Sequence, residues 1–321
     1  MKRVVVLHGN GRIGSFLIPL LVREGFEVLN VSRSGKPSKF LEDPSWNKVN
    51  HVLLDREATT RDGTFGKRIA ELHPDILIDI RSFTTNQVKP LVESLAGKIE
   101  HMIFTGTDWI HGKPEFSCCT EEQSRDCACF GPYGYEKLLM TEYLLREYDR
   151  TGLPVTVLHP GHLTQKNHLV TNPQGNQNHE VFSRIKRGET IMLPGDGNTY
   201  LHHVHTADVA EAFMCAIRTG TPAFGKEFHV VSPQAITMRY YAEQVYHWFG
   251  REPQIEYRPL EEWMRAEPNE VHAKRTEDHV LHSLSCSIEK ARKILGWEPR
   301  YTSLDALHEV IVEWLDAEKL I

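Results

Sequence analysis

The chain has 321 residues, of which 40% are hydrophobic and 25% charged, a composition typical of an ordinary globular protein. A formal net charge of −6 argues against nucleic-acid binding, because contacts to phosphates need a basic surface. No stretch approaches the roughly 18 apolar residues of a membrane span, and the apolar run Val4–Leu7 is too short for a signal peptide. We therefore expect a cytoplasmic protein without nucleic-acid or membrane partners.

In the first half of the chain, short apolar runs alternate with amphipathic stretches. This alternation predicts βαβ units and a parallel sheet covered by helices on both faces. The predicted strands are Arg3–Leu7, Glu27–Val31, His51–Leu54, Ile76–Ile80, Met102–Thr105 and Val155–His159. The predicted helices are Ile13–Arg23, Phe65–Leu72, Val88–Leu95 and Tyr133–Tyr148.

The second half is less regular. The polar stretch Thr171–His179 interrupts the pattern, and Gly195–Asn198 is typical of a turn. We expect this half to cap the sheet and to form one wall of a cleft. Its predicted elements are the helix Thr206–Arg218, the strand Glu227–Val231 and the helices Thr237–Phe249, Ser287–Leu295 (with Ser287 as N-cap) and Leu304–Leu315.

A glycine-rich turn connects the first predicted strand to the first predicted helix. In such a turn, backbone N–H groups approach a pyrophosphate and the helix N-terminus adds positive potential. The last glycine, Gly14, would let the helix pack closely on the strand. The glycine triplet has the strand–turn–helix context that a dinucleotide site requires, although a plain tight turn is the alternative. The candidate cofactor-binding residues here are Gly9, Asn10, Gly11, Arg12, Ile13 and Gly14.

The end of the second strand bears on the choice of cofactor. An acidic residue there would bind the ribose 2′-hydroxyl of NAD. The sequence instead has Arg33, and both Arg33 and Arg12 could hold a 2′-phosphate. This favours NADP, with NAD as the alternative if both arginines are solvated. Asp55, at the end of the third strand, is a candidate for binding the adenine amino group.

Tyr133 and Lys137 are four residues apart and would share one face of a helix. Tyrosine has an ordinary pKa near 10, and a nearby ammonium group favours its phenolate. The hydroxyl of Thr107, after the fifth strand, would point into the ligand crevice and bind a substrate oxygen, or else cap the next turn. Asp108 is either a second acid or base, or a carboxylate that stabilises the turn.

These motifs together resemble the extended short-chain dehydrogenases/reductases, also called the NAD-dependent epimerase/dehydratase family. The resemblance runs along the whole chain. It rests on the glycine loop, Thr107, Tyr133, Lys137, Leu158–His162, Pro194–Gly197, His202–Ala210 and Leu295–Pro299.

The resemblance implies a doubly wound Rossmann α/β fold with a smaller C-terminal substrate-binding domain. The expected division is residues 1–165 for the NAD(P)-binding domain, with 200–232 returning to it, and 166–199 and 233–321 for the substrate-binding domain. The implied catalytic set is Tyr133 as acid/base, Lys137 as its partner and Thr107 as hydroxyl orienter. The resemblance also places Pro160 at the cofactor. A homodimer, using apolar residues of the Tyr133 helix such as Leu138, Leu139 and Leu144, is a family expectation.

Four departures from the family pattern narrow the function. His8 stands where the family has its first loop glycine, which predicts an altered pyrophosphate turn. Trp109 replaces a dehydratase glutamate, which argues against sugar 4,6-dehydration. His162 replaces an asparagine that contacts the nucleotide diphosphate in sugar-nucleotide epimerases, so we expect it to contact a different substrate. Arg81 would touch cofactor phosphate or substrate, or form a salt bridge with Asp79 or another acid.

The histidines and cysteines are numerous, with 18 and six respectively. The spacing of the cysteines does not match the usual zinc pattern, so we predict no metal site there and expect free thiols. For the histidines that border the cleft we expect packing and hydrogen bonding, with binding of a polar substrate by some of them, and a metal site is the alternative. The cysteines are Cys118, Cys119, Cys127, Cys129, Cys215 and Cys286.

The sequence leaves three functional hypotheses. The first is an NAD(P)-dependent oxidoreductase or epimerase that transfers hydride on a small carbonyl or hydroxyl compound. The second is a sugar-nucleotide epimerase. The third is a non-catalytic dinucleotide-binding or RNA-associated protein on the same fold.

Overall fold

The computed structural model describes residues 1–113, 118–123, 125 and 131–321. The strands are β1 (Arg3–Leu7), β2 (Glu27–Ser32), β3 (Asn50–Leu53), β4 (Ile76–Asp79), β5 (His101–Thr105), β6 (Val155–Pro160), β7 (His162–Thr164), β8 (Ile191–Pro194), β9 (Tyr200–Leu201), β10 (His203–His205), β11 (Lys226–Val230), β12 (Ile236–Thr237) and β13 (Ile255–Arg258). The helices are α1 (Arg12–Arg23), α2 (Arg56–Arg61), α3 (Phe65–Ala70), α4 (Thr85–Leu95), α5 (Pro132–Thr151), α6 (Glu180–Arg187), α7 (Thr206–Thr219), α8 (Met238–Trp248), α9 (Leu260–Ala266), α10 (Glu270–His282), α11 (Glu289–Leu295) and α12 (Ser303–Val310). Short 3-10 helices cover Pro44–Lys48, Asp108–Ile110 and Thr221–Ala223, and a π-helical stretch covers Ile311–Asp316.

The centre of the fold is a parallel sheet with strand order β3-β2-β1-β4-β5-β6-β11. Strands β2 and β3 follow β1 on one side, and β4, β5 and β6 follow on the other. The switch point, where the direction of strand addition reverses, therefore lies between β1 and β4. Ligands of such sheets bind outside the carboxyl ends of the strands at this point. The predicted Rossmann fold is confirmed, and each predicted strand of this sheet is present within one residue of its expected ends.

Alternate residues of β1 face opposite sides of the sheet, as a strand requires. Val4 and Val6 pack into the cluster that includes α1 and α7, whereas Val5 and Leu7 pack against α3, α4 and α5. All four side chains are buried. Burial on both faces explains why the strand is an unbroken apolar run in the sequence.

A third apolar cluster forms among α6, α8 and α12, with Phe182, Tyr241 and Leu307 at its centre. The segment around Trp297 packs instead with the cluster that includes α1 and α7. Strand β11, from the segment expected to return to the first domain, lies at the edge of the central sheet. The division of the chain into two functional domains stays a prediction.

The predicted helices differ from the structure at several ends: α3 ends two residues earlier than predicted, α4 begins three residues earlier, and α5 ends three residues later. Two further predictions are wrong. Ser287 is not the N-cap of α11: the helix begins at Glu289 with Ile288 as N-cap, although the Ser287 hydroxyl still accepts a hydrogen bond from the Glu289 N–H at 3.3 Å. The predicted helix Leu304–Leu315 is α-helical as far as Val310 and then continues as the π-helical stretch. An apolar periodicity does not distinguish these two helix types over a single turn.

Other expectations concern thiols, metals and membranes. Cys127 and Cys129 lie outside the described residues, and Cys118, Cys119, Cys215 and Cys286 are free thiols. Within the described part of the chain, no three His, Cys, Asp or Glu side chains are grouped as a metal site would need. No helix in the described ranges is long and apolar enough to span a bilayer.

Candidate active site

A cleft of about 780 Å³ opens where β1, β4, β5 and β6 end. Its walls are the glycine loop, the start of α5 and the segment that follows β6. A second cavity of about 330 Å³ shares Trp109, Tyr133 and His162 with the first, so the two cavities are adjacent. The cleft therefore has a long arm along the strand ends and a shorter arm beyond Tyr133.

The glycine loop has the geometry expected of a dinucleotide site. The Gly9 N–H donates to the Asn30 side-chain oxygen at 2.9 Å. A Cβ on Gly14 would lie 1.8 Å from the Gly9 carbonyl oxygen, so α1 packs directly on the loop only because this residue is glycine. Gly11 precedes α1, and no side chain caps the helix. The first N–H groups of α1 are thus available to a ligand.

His8 occupies the first position of the loop, and the predicted alteration of the pyrophosphate turn stays a prediction. The His8 φ of 62° lies in the left-handed region that glycine adopts most easily. The His8 N–H donates to the Val31 carbonyl at 2.9 Å, and its own carbonyl accepts from the Gly11 N–H at 3.2 Å. The loop therefore fits a dinucleotide diphosphate although a histidine occupies its first position.

Thr107 and Tyr133 meet in the cleft. Thr107 is the N-cap of the short helix Asp108–Ile110, and its hydroxyl accepts from the Trp109 N–H at 3.3 Å. Tyr133 lines the cleft beside Thr107, and the Thr107 hydroxyl acts on its pKa. Loss of solvent raises the pKa of Tyr133, and the Asp108 carboxyl adds to this rise, whereas the Thr107 hydrogen bond and the Arg12 charge oppose it. At neutral pH Tyr133 is a protonated phenol.

Lys137 lies in the cleft, but it is not the full ammonium cation that the sequence predicts. Its Nζ donates to the Thr105 carbonyl at 2.6 Å, and its side chain is only 2% exposed. Burial lowers the pKa of Lys137 to about 7. We had expected its ammonium group to lower the pKa of Tyr133, but Arg12 is the cation that acts on the phenol in this structure.

Asp108 is a buried carboxyl beside the two hydroxyls. Its side chain accepts a long 3.4 Å hydrogen bond from the Thr107 hydroxyl. Burial raises the pKa of Asp108 to about 7, although hydrogen bonds from Thr107 and the backbone act to lower it. A carboxyl that titrates near neutral pH in a cleft is characteristic of functional sites.

A buried chain of polar groups holds Thr107 from behind. The Thr107 N–H donates to His159 Nδ1 at 3.0 Å, and His159 Nε2 lies 3.0 Å from a Glu227 oxygen. Burial lowers the pKa of His159, so the ring is neutral, with its proton on Nε2. Burial alone would raise the pKa of Glu227, but His159 and Arg125 together bring it to about 2. A Cβ on Gly106 would lie 2.1 Å from His159, so this position requires glycine.

The end of β4 carries a buried ion pair. Arg56 binds the Asp79 carboxylate with two hydrogen bonds, of 3.1 and 2.9 Å. Ser82 completes the group by donating to Asp79. Our alternative of a salt bridge between Arg81 and Asp79 is wrong, because Arg56 occupies the carboxylate and Arg81 contributes only its backbone N–H, at 3.0 Å. The Arg81 side chain lines the cleft and lies over the Phe83 ring.

The remaining candidates for cofactor binding lie at different places around the cleft and have different contacts. The Arg12 guanidinium lines the cleft and lies 3.3 Å from His168, and Arg33 directly follows β2. Asp55 is the N-cap of α2 and accepts from two backbone N–H groups at 2.9 and 3.1 Å. Pro160 lines the cleft at the end of β6. Their contacts with a cofactor stay predictions.

Rings from three elements form the wall of the shorter arm. The His162 ring lies 4.9 Å from that of His279 on α10. Trp109 packs edge-on against His279 at 5.2 Å and stacks on His282 at 4.3 Å. Burial lowers the pKa of His162 well below its usual range, so this side of the wall is neutral. Arg275 and Asp278 of α10 add charged groups to the lining.

Sequence reasoning missed α10, which supplies much of that wall. Its sequence is polar, so the apolar periodicity is weak, but Asn269 just before it is a signal that could have been used. The Asn269 side chain accepts from the Val271 and His272 N–H groups, as an N-cap does. Glu227 was also missed as a site residue, and the pairing that gives His159 its role was missed with it, because that pairing joins strands 68 positions apart.

The fold and cleft define an extended short-chain dehydrogenase/reductase. A sequence model of the NAD dependent epimerase/dehydratase family matches residues 4–230, and the chain belongs to this family. The family is named for NAD-dependent epimerases and dehydratases, and similar proteins include UDP-glucose 4-epimerases, which makes an enzymatic role the expected one for this chain.

Among similar proteins, the chloroplast stem-loop binding protein of 41 kDa b from Arabidopsis thaliana is 26% identical over 95% of this chain and 77% of its own length. A UDP-glucose 4-epimerase from Streptococcus mutans is 23% identical over 95% of this chain and 94% of its own.

Solved structures agree on the fold. The UDP-glucose 4-epimerase of Thermotoga maritima, determined with UDP-glucose, has a TM-score of 0.73 and 19% identity, and the match covers 99% of this chain and 100% of that one. The dTDP-glucose 4,6-dehydratase of Bacillus anthracis, in complex with NAD, has a TM-score of 0.72 and 17% identity, with 100% and 98% covered.

Proposed function

We propose that this protein is an NAD(P)-dependent oxidoreductase or epimerase that acts on a hydroxyl or carbonyl carbon of a small polar substrate. The observation that carries the proposal is the convergence of Thr107, Tyr133 and Lys137 on the same cleft as the glycine loop. A nicotinamide dinucleotide bound along the strand ends would supply or accept the hydride, and the chain's own side chains handle the proton.

In the carbonyl-reducing direction, Tyr133 gives its phenolic proton to the substrate oxygen, which the Thr107 hydroxyl holds in place. The raised pKa of Tyr133 suits this direction because the phenol is fully protonated at neutral pH. In the alcohol-oxidising direction Tyr133 must first lose that proton, and Arg12 and Thr107 favour the loss. Lys137, anchored on the Thr105 carbonyl, borders the space expected for the nicotinamide ribose.

The shorter arm is proposed as the substrate pocket. Its volume of about 330 Å³ and its lining of Trp109, His162 and Asn176 suit a compact polar compound. Asp278 and Arg275 at this arm would bind hydroxyl or carboxylate groups of the substrate. A sugar nucleotide remains an alternative, supported by the epimerases among the similar proteins.

Tyr133→Phe tests the proton-transfer role. We expect the variant to bind the cofactor but to lose turnover by at least about a hundredfold, because general acid–base catalysis contributes about that much. Tyr135→Phe is a matched control, since Tyr135 lies on the same helix, is exposed and does not line the cleft. Equal turnover of Tyr133→Phe and wild type in a screen of carbonyl compounds would refute the proposal.

NADP is the proposed preference, supported by Arg33 after β2 and the lack of a carboxylate at that strand end. Arg33→Ala should weaken NADPH binding and leave NADH binding nearly unchanged in calorimetric titrations. A variant that loses both cofactors equally would contradict the 2′-phosphate assignment. Whether the purified protein carries tightly bound dinucleotide distinguishes an epimerase, which retains its cofactor, from an oxidoreductase that releases it.

RNA association is a second candidate, favoured by the name of the Arabidopsis relative, a stem-loop binding protein. The net charge of −6 argues against it, because RNA binding needs a basic surface. Filter binding with a stem-loop RNA at physiological salt would decide: retention of the RNA supports this candidate, and no retention removes it.

Homodimerisation through α5 stays part of the proposal. Leu138 and Leu144 are buried in the protein's own core, which leaves the partly buried Leu139 and the exposed Tyr135 for a partner. Light scattering of the purified protein tests this. A cytoplasmic location, proposed from the sequence, is tested by cell fractionation.

A further inference from the structure

His8 combines two unfavourable features at the end of β1. A non-glycine residue at a φ of 62° is strained, because its Cβ crowds its own backbone. The ring nitrogen Nδ1 is buried and has no hydrogen-bond partner among the described residues. Such strain and such unsatisfied groups persist mainly where a function requires them.

The other ring nitrogen of His8, Nε2, is not buried in this way. His8 lines the long arm together with Asn10 and Gly11, and Nε2, unlike Nδ1, is not enclosed by protein. Burial lowers the pKa of His8 to about 4, and the charges of Arg56, Arg81 and Arg33 act in the same direction against that of Asp79. The ring is therefore neutral at physiological pH, with one N–H to donate.

The position of this ring defines what it can bind. β1 borders the switch point of the sheet, and the turn from His8 to Gly11 leads into the free N–H groups of α1. In this fold the diphosphate and the adenosine ribose of a dinucleotide lie against that turn. Both groups present oxygen atoms that accept hydrogen bonds.

We propose that His8 is a cofactor-recognition residue whose imidazole donates a hydrogen bond to an oxygen of the ADP-ribose portion of the bound dinucleotide. The inference rests on the proposed function, since it needs a dinucleotide in the long arm. It accounts for a histidine at a position where glycine would relieve the backbone strain.

The test compares His8→Gly with His73→Gly. His73 is also a histidine in the left-handed region, with a φ of 51°, but it is exposed and lies outside the cleft. For each protein, calorimetry gives the Kd for NAD⁺, NADP⁺ and ADP-ribose, and thermal unfolding of the ligand-free protein gives the Tm. His8→Gly should raise all three Kd values by about tenfold, as for the loss of one hydrogen bond to a charged group, without lowering the Tm.

His8→Asn keeps the measurement decisive if the glycine variant folds poorly. Asparagine tolerates the left-handed conformation and retains an N–H donor, so it should bind ADP-ribose more tightly than His8→Gly or, if that variant cannot be purified, more tightly than His8→Ala. If His8→Gly binds the ligands as tightly as the wild type, or if His73→Gly loses as much affinity as His8→Gly, the inference about His8 fails but the proposed function stands. If the wild-type protein binds none of the three ligands, both the inference and the proposed function fail.

Discussion

Replacing Asp108 by asparagine tests whether this carboxyl is neutral in the folded protein. Its pKa is raised from 3.8 to about 7 because it is buried, with only 3% of the residue exposed. An acid whose pKa is higher in the folded than in the unfolded state favours folding at low pH. That contribution is fully present below pH 3.8 and is lost as the pH rises toward about 7.

The magnitude follows from the size of the shift. One pKa unit corresponds to about 1.4 kcal/mol. Between about pH 5 and pH 8 the unfolded carboxyl is ionised throughout, whereas the folded one loses its proton near the middle of the range. The wild type should therefore lose about 2–3 kcal/mol of unfolding free energy from Asp108 over this interval. Asparagine, which does not titrate, should lose none of it.

Urea denaturation at about pH 5 and pH 8 measures this contribution. The difference in unfolding free energy between Asp108→Asn and wild type should shift by about 2–3 kcal/mol in favour of the variant at the higher pH. Taking the difference removes all other titrating groups, and Asp149→Asn, on the exposed end of α5, controls for the change in net charge. A difference that is the same at both pH values would refute the assignment of a neutral Asp108.

Three further predictions concern the scaffold of the site. Gly14→Ala should weaken both stability and dinucleotide binding, because its Cβ would meet loop backbone at 1.8 Å; unchanged binding in a titration would contradict the need for close packing. Arg56→Met leaves the Asp79 carboxylate buried without its cation and should reduce the unfolding free energy by about 3–5 kcal/mol in urea, and a loss below about 1 kcal/mol would argue against the ion pair. The pKa of Glu227 is held at about 2, so the stability it contributes is present above pH 4.5 and lost as the pH falls below that; Glu227→Gln should flatten this acid dependence in unfolding experiments, and an unaltered dependence would exclude the pairing with His159.

The sequence predicted the features that depend on local pattern. The apolar run of β1 and the glycines after it specify a strand, a turn and a helix within 20 residues, so their geometry hardly depends on the rest of the chain. Tyr133 and Lys137 were identifiable for the same reason, since a spacing of four residues on one helix places both side chains on the same face. The parallel sheet followed from the alternation of such units.

Features that depend on distant contacts were not predictable in this way. Arg12 and Arg33 are both predicted to reach a 2′-phosphate, and nothing in the sequence indicated that the Arg12 side chain contacts His168, which is 156 residues further along the chain. The Asp79 carboxylate at the end of β4 looked available to Arg81 in the next loop, but Arg56 approaches it from α2. In each case a long flexible side chain has several partners within reach, and burial by other parts of the fold decides between them.

The protonation states of the site follow from burial in the same way, and they change the expected chemistry. From the sequence, Lys137 would be a permanent cation that favours the phenolate of Tyr133. In the structure, Lys137 loses its charge near pH 7, and Asp108 gains one in the same range. An ionised Asp108 raises the pKa of Tyr133. As the pH rises through about 7, the ionisation of Asp108 therefore works against the phenolate, and Lys137 is no longer the cation that the sequence predicted beside it. For the proposed function, this protonation state suits giving a proton to a carbonyl oxygen better than removing one from an alcohol.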